Sequence, residues 1–193
     1  LEHHAVDYLG VAFTDEGIEL KAAGITIPII VMNPETTSYA QLIQYGLEPE
    51  IYNMRTLNGF IRLLKERKIK QYPIHIKLDT GMHRLGFERA QLDDLIATLR
   101  DCPWVEVKSV FSHLATSDMP EQHDFVMQQI DVFDTNYRYL CEQLQIKPIA
   151  HILNTAGISN YGFAQYDMVR LGLGLYGLSA DVHEQTELAQ VGT

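Results

Sequence analysis

An α/β barrel of the TIM type, incomplete by one of its eight strand-and-helix units, is the fold class this sequence predicts, and three observations predict it. Strand-like apolar runs alternate with segments of helical period along the chain. No Asn-Gly or similar hairpin signal separates neighbouring runs, which favours parallel pairing through helical crossovers. Polar and charged residues gather at the carboxyl ends of the runs, where barrels of this class build their sites. The rival arrangement is an open doubly wound sheet, which usually carries a glycine-rich turn after its first strand. Here that turn reads Thr14-Asp15-Glu16-Gly17, which is no dinucleotide fingerprint.

The runs fall at residues 6–13, 27–32, 49–53, 72–79, 105–113, 148–155 and 168–178, so seven strands are expected. Seven staves leave two edges that would attract other chains. Between them, Leu57, Phe60, Ile61 and Leu64 share a helical face, as do Leu92, Leu95, Ile96 and Leu99. A longer helix runs through Val126, Ile130, Phe133, Tyr137, Leu140 and Leu144. Its start reads as a capping box, Asp118 with Glu121, and Pro120 lies in the first turn where its missing donor is harmless. Thr155 stands at the head of a short helix, TAGISNY, as an N-cap hydroxyl. No linker, repeat or low-complexity tract interrupts the chain, so residues 1–193 read as a single partial barrel domain.

Composition bounds the function. The 193 residues are 46% hydrophobic and 21% charged, with a formal charge of -10. A pI near 5.2 argues against nucleic acid or an anionic membrane as partner. Cys102 and Cys141 are far apart and match no metal-ligand spacing, so both read as reduced packing residues and no metal is expected. No apolar run reaches bilayer length and no signal peptide opens the sequence, so a cytoplasmic protein is expected. The opening LEHH reads as a helix tail or a tag scar.

The run His75-Ile76-Lys77-Leu78-Asp79 carries the first functional hint. Ile74, Ile76 and Leu78 point one way and His75, Lys77 and Asp79 the other. In a covered sheet that polar row faces an interior, where lysine and aspartate are rarely kept without a partner or a task. An antiparallel strand with one wet face gives the same alternation. Strand ends then add His113, Asn154, Thr155 and Arg170, followed by Gly172 and Gly174. Singly, Lys77 reads as well as a snorkelling lysine and His113 as a core histidine. Together they mark a site. The backbone of RLGLGLYG offers N–H groups where glycine permits close approach, as phosphate sites do, although tight packing of a small-residue strand would look alike. A phosphorylated small molecule or a phosphate-bearing cofactor is the ligand these residues suggest.

In order, LDTGMHRLGF, FSHLATSD, HILNTAG and MVRLGLGLYGLS resemble the barrel domain of pyridoxal-phosphate-dependent alanine racemases. The resemblance runs from residue 6 to the last strand and implies an eight-stranded barrel, of which this chain holds strands 2 to 8, followed by a β domain in a homodimer. It implies pyridoxal 5'-phosphate as cofactor, alanine as substrate, and interconversion of L- and D-alanine that supplies D-alanine for peptidoglycan. Lys77 matches the lysine that is carbamylated in many members, and Arg84 the arginine it orients near the cofactor's phenolic oxygen and the substrate carboxylate. His113 matches the histidine beside the pyridine ring, Thr155 falls where the family often has a serine on the phosphate, and Asn154 matches that residue's neighbour in the pocket. Gly172 and Leu173 match the backbone donors to that phosphate, and Arg170 matches the arginine facing the pyridine nitrogen. A guanidinium keeps its protons in proteins, so the ring nitrogen opposite it must accept.

Racemisation needs a base on each face of the α-carbon. The family uses a lysine on the first barrel strand and a tyrosine from the other subunit's β domain, and no residue of this chain matches either. The polypeptide alone is therefore expected to be inactive. Two rivals stand beside this reading: an aldolase-like barrel in which Lys77 forms a Schiff base with a carbonyl substrate, and a non-catalytic barrel that carries pyridoxal phosphate or serves as a scaffold.

Overall fold

The computed structural model describes residues 2–179 and Gln185. Contacts divide the chain into two compact units, one of Leu1–Lys77 with Asp93–Lys108 and one of Leu78–Leu92 with Ser109–Thr193. The expected single domain also includes residues 180–184 and 186–193, which lie outside the described residues.

The first unit opens with a 3-10 turn, Glu2–His4, then β1 (Leu9–Val11), α1 (Thr14–Ala22), β2 (Ile29–Val31), α2 (Tyr39–Tyr45), β3 (Glu48–Ile51), α3 (Met54–Arg67) and β4 (Tyr72–Lys77). β1 pairs with β2, β2 with β3 and β3 with β4, all parallel. The start of β5 (Val105–Phe111) lies beside β4, where the Tyr72 N–H donates to the Trp104 carbonyl at 2.9 Å. Ile29, Ile30, Val31, Ile51, Ile74 and Ile76 are all buried, as strands covered on both faces must be. α3 begins at Asn53, whose side chain accepts from the Thr56 N–H, and it buries Leu57, Phe60, Ile61 and Leu64 as the period predicts. α4 (Leu92–Leu99) buries Leu92, Leu95, Ile96 and Leu99 likewise.

In the second unit the end of β5 pairs in parallel with β6 (Ile149–His151), and the Leu78 N–H donates to the Phe111 carbonyl at 2.8 Å. α5 (His123–Leu144) buries Val126, Ile130, Phe133 and Leu140, and α6 (Thr155–Asn160) follows β6.

Three expectations are corrected. Residues 168–178 form no strand. The Asp167 N–H does return to β6, at Ala150, and the Arg170 N–H reaches Leu153, just past its end. From Gly172, with φ -105° and ψ -98°, the backbone turns into a 3-10 helix, Leu173–Tyr176. Glycines lack the side chains that would hold an extended ribbon flat. α5 is preceded by a 3-10 turn, Pro120–Gln122, flanked by Met119 with no side-chain cap, so Asp118 does not cap it. The cap of α6 is Asn154, not Thr155: the Asn154 Oδ1 accepts from the Gly157 N–H at 2.9 Å. Cys102 and Cys141 are free thiols. No helix among the described residues is long and apolar enough to cross a membrane.

Candidate active site

In the second unit, polar groups converge on Arg170, which follows β6 by sequence and whose own N–H donates to the carbonyl of Leu153, just past that strand. Its Nη1 donates to His151 Nδ1 at 2.6 Å. Its Nη2 donates to the Ser112 and Ile152 carbonyls at 2.7 and 3.1 Å, and lies 3.3 Å from His113 Nδ1. A guanidinium only donates, so both imidazole Nδ1 atoms accept. His151 is therefore neutral, with its proton on Nε2, which donates to Ser109 Oγ at 3.0 Å. Phe111 stacks on the His151 ring at 4.7 Å and 4°, and the Arg170 guanidinium carbon lies 5.3 Å from the Phe111 ring centre. Arg170 is thus half-buried and fixed at both nitrogens, and His113 is half-buried beside it.

Thr155 gathers the second feature. Its Oγ1 accepts from the Gly172 N–H at 3.0 Å and from the Gly174 N–H at 3.2 Å. A Cβ on Gly174 would lie 2.8 Å from Thr155 Cγ2, so the close approach requires glycine. Two amides aimed at one oxygen form the kind of nest that a phosphate oxygen can enter. Asn154 is fully engaged: Oδ1 also accepts from Ser117 Oγ at 2.7 Å, and Nδ2 donates to the Leu114 carbonyl at 3.3 Å. It shapes the loops after β5 and β6. Leu173 is exposed at the start of its 3-10 helix.

The motif LDTGMHRLGF forms a loop that is tied to Ser112, whose hydroxyl donates to the Leu78 carbonyl at 2.8 Å and lies 2.8 Å from Thr80 Oγ1. Asp79 Oδ1 accepts from the Gly81 and His83 N–H groups at 2.9 and 3.1 Å, and Leu78 bridges to Phe87. Gly86 has φ +133°, and a Cβ there would lie 2.4 Å from the Asp79 nitrogen, so no other residue fits. Asp79 thus serves its own turn, and Arg84 projects from it exposed. Asp79, His83 and Glu88 bring ligand atoms within 4.8 Å of one another. Two of the three are exposed and the third is spent on the turn.

In the first unit, Lys77 is buried on the face β4 shares with β3. Its Nζ lies 3.4 Å from Glu50 Oε1. His75 Nε2 lies 2.7 Å from Glu48 Oε2, and Tyr8 packs edge-on against His75 at 5.7 Å. With His75 at 0% and Lys77 at 5% exposure, the wet-face alternative for β4 is excluded.

Sequence reasoning missed four buried polar side chains that hold the candidate residues or their neighbours. Glu48 and Glu50 alternate within β3 as His75 and Lys77 do within β4, and the same alternation argument would have found them. His151 sits in the run 148–155 as an imidazole among apolar residues. Gln129 falls on the apolar stripe of α5 between Val126 and Phe133, fully buried; its Oε1 accepts from the Ala115 N–H and its Nε2 donates to the His113 carbonyl. A polar residue on a buried stripe was the available signal.

The residues fit a phosphate-bearing aromatic group: an amide nest around Thr155, a fixed donor at Arg170, and planar side chains beside it. The sequence comparisons agree. A family model described as alanine racemase, N-terminal domain, matches residues 1–180. An alanine racemase of Synechocystis is 35% identical over 92% of this chain and 48% of its own length. One from Thermodesulfovibrio yellowstonii is 36% identical over 91% of this chain and 46% of its own length. Among solved structures, an alanine racemase from Streptomyces lavendulae superposes with a TM-score of 0.89 at 25% identity, covering 98% of this chain and 50% of that one. One from Bartonella henselae with covalently bound pyridoxal phosphate superposes with a TM-score of 0.80 at 25% identity, covering 93% and 51%. The chain spans about half the length of the curated relatives it matches.

Proposed function

Because this chain belongs to the family of alanine racemase N-terminal domains, we propose that it forms the cofactor-holding part of an enzyme that interconverts L- and D-alanine with pyridoxal 5'-phosphate. The observation that carries the proposal is the pairing of a fixed guanidinium, Arg170, with the Gly172 and Gly174 amides around Thr155 Oγ1. Pyridoxal phosphate, when bound, supplies the electron sink that makes an amino acid's α-proton removable.

The chain's residues bind and tune that group. Arg170 would meet the pyridine nitrogen with N–H groups that only donate, so that nitrogen would have to be an unprotonated acceptor. A weaker sink results, which restrains side reactions such as transamination. Arg170 can hold this direction because His151, Ser112 and Ile152 fix the guanidinium from behind. The Gly172 and Leu173 amides and the Thr155 hydroxyl would hold the phosphate, whose oxygens could accept the Gly172 N–H that Thr155 receives here. His113, beside Arg170, would flank the ring, and Asn154 ties the loops after β5 and β6. Arg84 is exposed and would supply a cation for the substrate carboxylate, and Lys77 is buried beside Glu50 in the first unit.

Proton transfer on either face of the α-carbon is assigned to groups outside these 193 residues, a lysine of the first barrel strand and a tyrosine of a second subunit's β domain. On this reading the chain contributes to an eight-stranded barrel in a cytoplasmic homodimer that supplies D-alanine for peptidoglycan.

Exchange of the α-proton of L-alanine in deuterated water, followed by proton NMR with pyridoxal phosphate added, tests the proposal. The intact protein should exchange it and the 193-residue polypeptide should not. Absence of exchange by the intact protein would overturn the racemase reading, and turnover by the polypeptide alone at the intact rate would overturn the assignment of the missing bases. Borohydride trapping with peptide mapping separates the aldolase reading, which alone labels Lys77.

A further inference from the structure

The face shared by β3 and β4 carries its own counter-charges. Glu50 is fully buried, Lys77 is 5% exposed, and the Lys77 Nζ to Glu50 Oε1 distance is 3.4 Å. The parallel register puts Glu50 opposite His75, so Lys77 reaches the carboxylate along the diagonal, as His75 reaches Glu48. Both acids come from the short strand Glu48–Ile51 and point to one side of it.

Lys77 stands where the family resemblance places a carbamylated lysine. Carbamylation begins when the ammonium loses a proton; the amine nitrogen then forms a C–N bond to carbon dioxide, a second proton leaves, and a carbamate anion remains. The side chain passes from one positive to one negative charge. Beside Glu50 that change converts a buried ion pair into two buried anions, with little water to screen them. The carboxylate also holds the proton on nitrogen, and only the neutral amine attacks carbon dioxide.

We infer that Lys77 of this protein stays an unmodified ammonium and that Glu50 supplies, from the sequence itself, the negative charge a carbamate would bring. Glu50 is then a positioning residue: it fixes the charge and direction of Lys77 without touching the reacting atoms. The inference rests on the family reading proposed above, but its readout is a charge state and not turnover, so either can fail while the other stands.

The test equilibrates the intact protein, with cofactor, in 13C-labelled bicarbonate at mildly alkaline pH and records the carbon NMR spectrum, with Lys77→Arg as the blank. Wild type should show no carbamate resonance beyond the blank, and Glu50→Gln, which keeps the shape and removes the charge, should gain one. A Lys77-dependent resonance in wild type overturns the inference, and so does a Glu50→Gln spectrum as empty as that of wild type. Since Glu50→Gln leaves a buried lysine exposed to loss of fold, thermal unfolding of two further variants gives an independent reading. Lys77→Arg keeps a cation opposite Glu50 and Lys77→Glu places an anion there, so Lys77→Glu should melt about 5 °C or more below Lys77→Arg. Equal midpoints, or the reverse order, would show that the native side chain is not a cation.

Discussion

The two units handle a buried cation in opposite ways. On the face of β3 and β4, Lys77 meets a carboxylate that is itself fully buried, and His75 meets another. In the second unit Arg170 is held by imidazole nitrogens and main-chain carbonyls. A carboxylate settles the charge of its partner, whereas neutral acceptors settle only its direction and leave its field available to a ligand. The first arrangement suits a fixed wall and the second a binding group.

Breaking the first arrangement should cost most. Glu50→Ala leaves the Lys77 ammonium buried beside nothing of opposite charge that Glu50 supplied, and should destabilise the protein by about 4 kcal/mol in urea titration. The double variant Glu50→Leu with Lys77→Met should recover most of that loss, because no charge then remains to be solvated. Arg170→Ala removes a donor from four acceptors at once and should cost about 3 kcal/mol. It should also weaken pyridoxal phosphate binding by at least about tenfold, read from cofactor absorbance, while the Glu50 and Lys77 double variant changes that binding far less. If the double variant proves as damaging to cofactor binding as Arg170→Ala, the contrast between wall and binding group fails.

Smaller effects sharpen the contrast. Gly86→Ala sets a methyl 2.4 Å from the Asp79 nitrogen at φ +133° and should cost about 2 kcal/mol by distorting the loop that carries Arg84. Its signature should be a raised KM for alanine with the Arg170 cluster intact. Asn154→Ala removes the α6 cap and the Ser117 bond and should cost about 1 kcal/mol. Alkaline pH should act on both units alike. Burial raises Tyr39 in the first unit, and Tyr166 in the second, from the ordinary 10.0 to about 12. Their protonated forms are favoured by folding, so the stability they contribute is complete below pH 10.0 and is lost as pH rises toward about 12. Tyr39→Phe should flatten that fall in an unfolding series above pH 10.0, and an unchanged slope would remove Tyr39 from the explanation.

Much of this was legible in the sequence because burial imposes periods on it. Six apolar runs became strands, and the helical stripes through Leu57 and Val126 are buried where their spacing places them. The run 168–178 failed as a strand because alternation cannot register that glycine N–H groups will turn aside to a threonine hydroxyl. The Thr155 and Asp118 caps were misplaced for a related reason: short polar side chains near a helix start compete for the same N–H groups, and Asn154 wins through three bonds that close two loops. The partners of Lys77 and Arg170 were harder to read, since Glu50 and His151 come from neighbouring strands and only register brings them in. The motif LDTGMHRLGF was legible as a landmark, yet its glycines and Asp79 serve the turn, with Arg84 its outward group.

The most direct test of the account is a crystal structure of the intact protein with pyridoxal phosphate. The phosphate should lie against the Gly172 and Leu173 amides and the Thr155 hydroxyl, with the ring nitrogen accepting from Arg170. A phosphate bound elsewhere, with the Gly172 and Gly174 N–H groups still on Thr155 and Arg170 turned away from the ring, would contradict it.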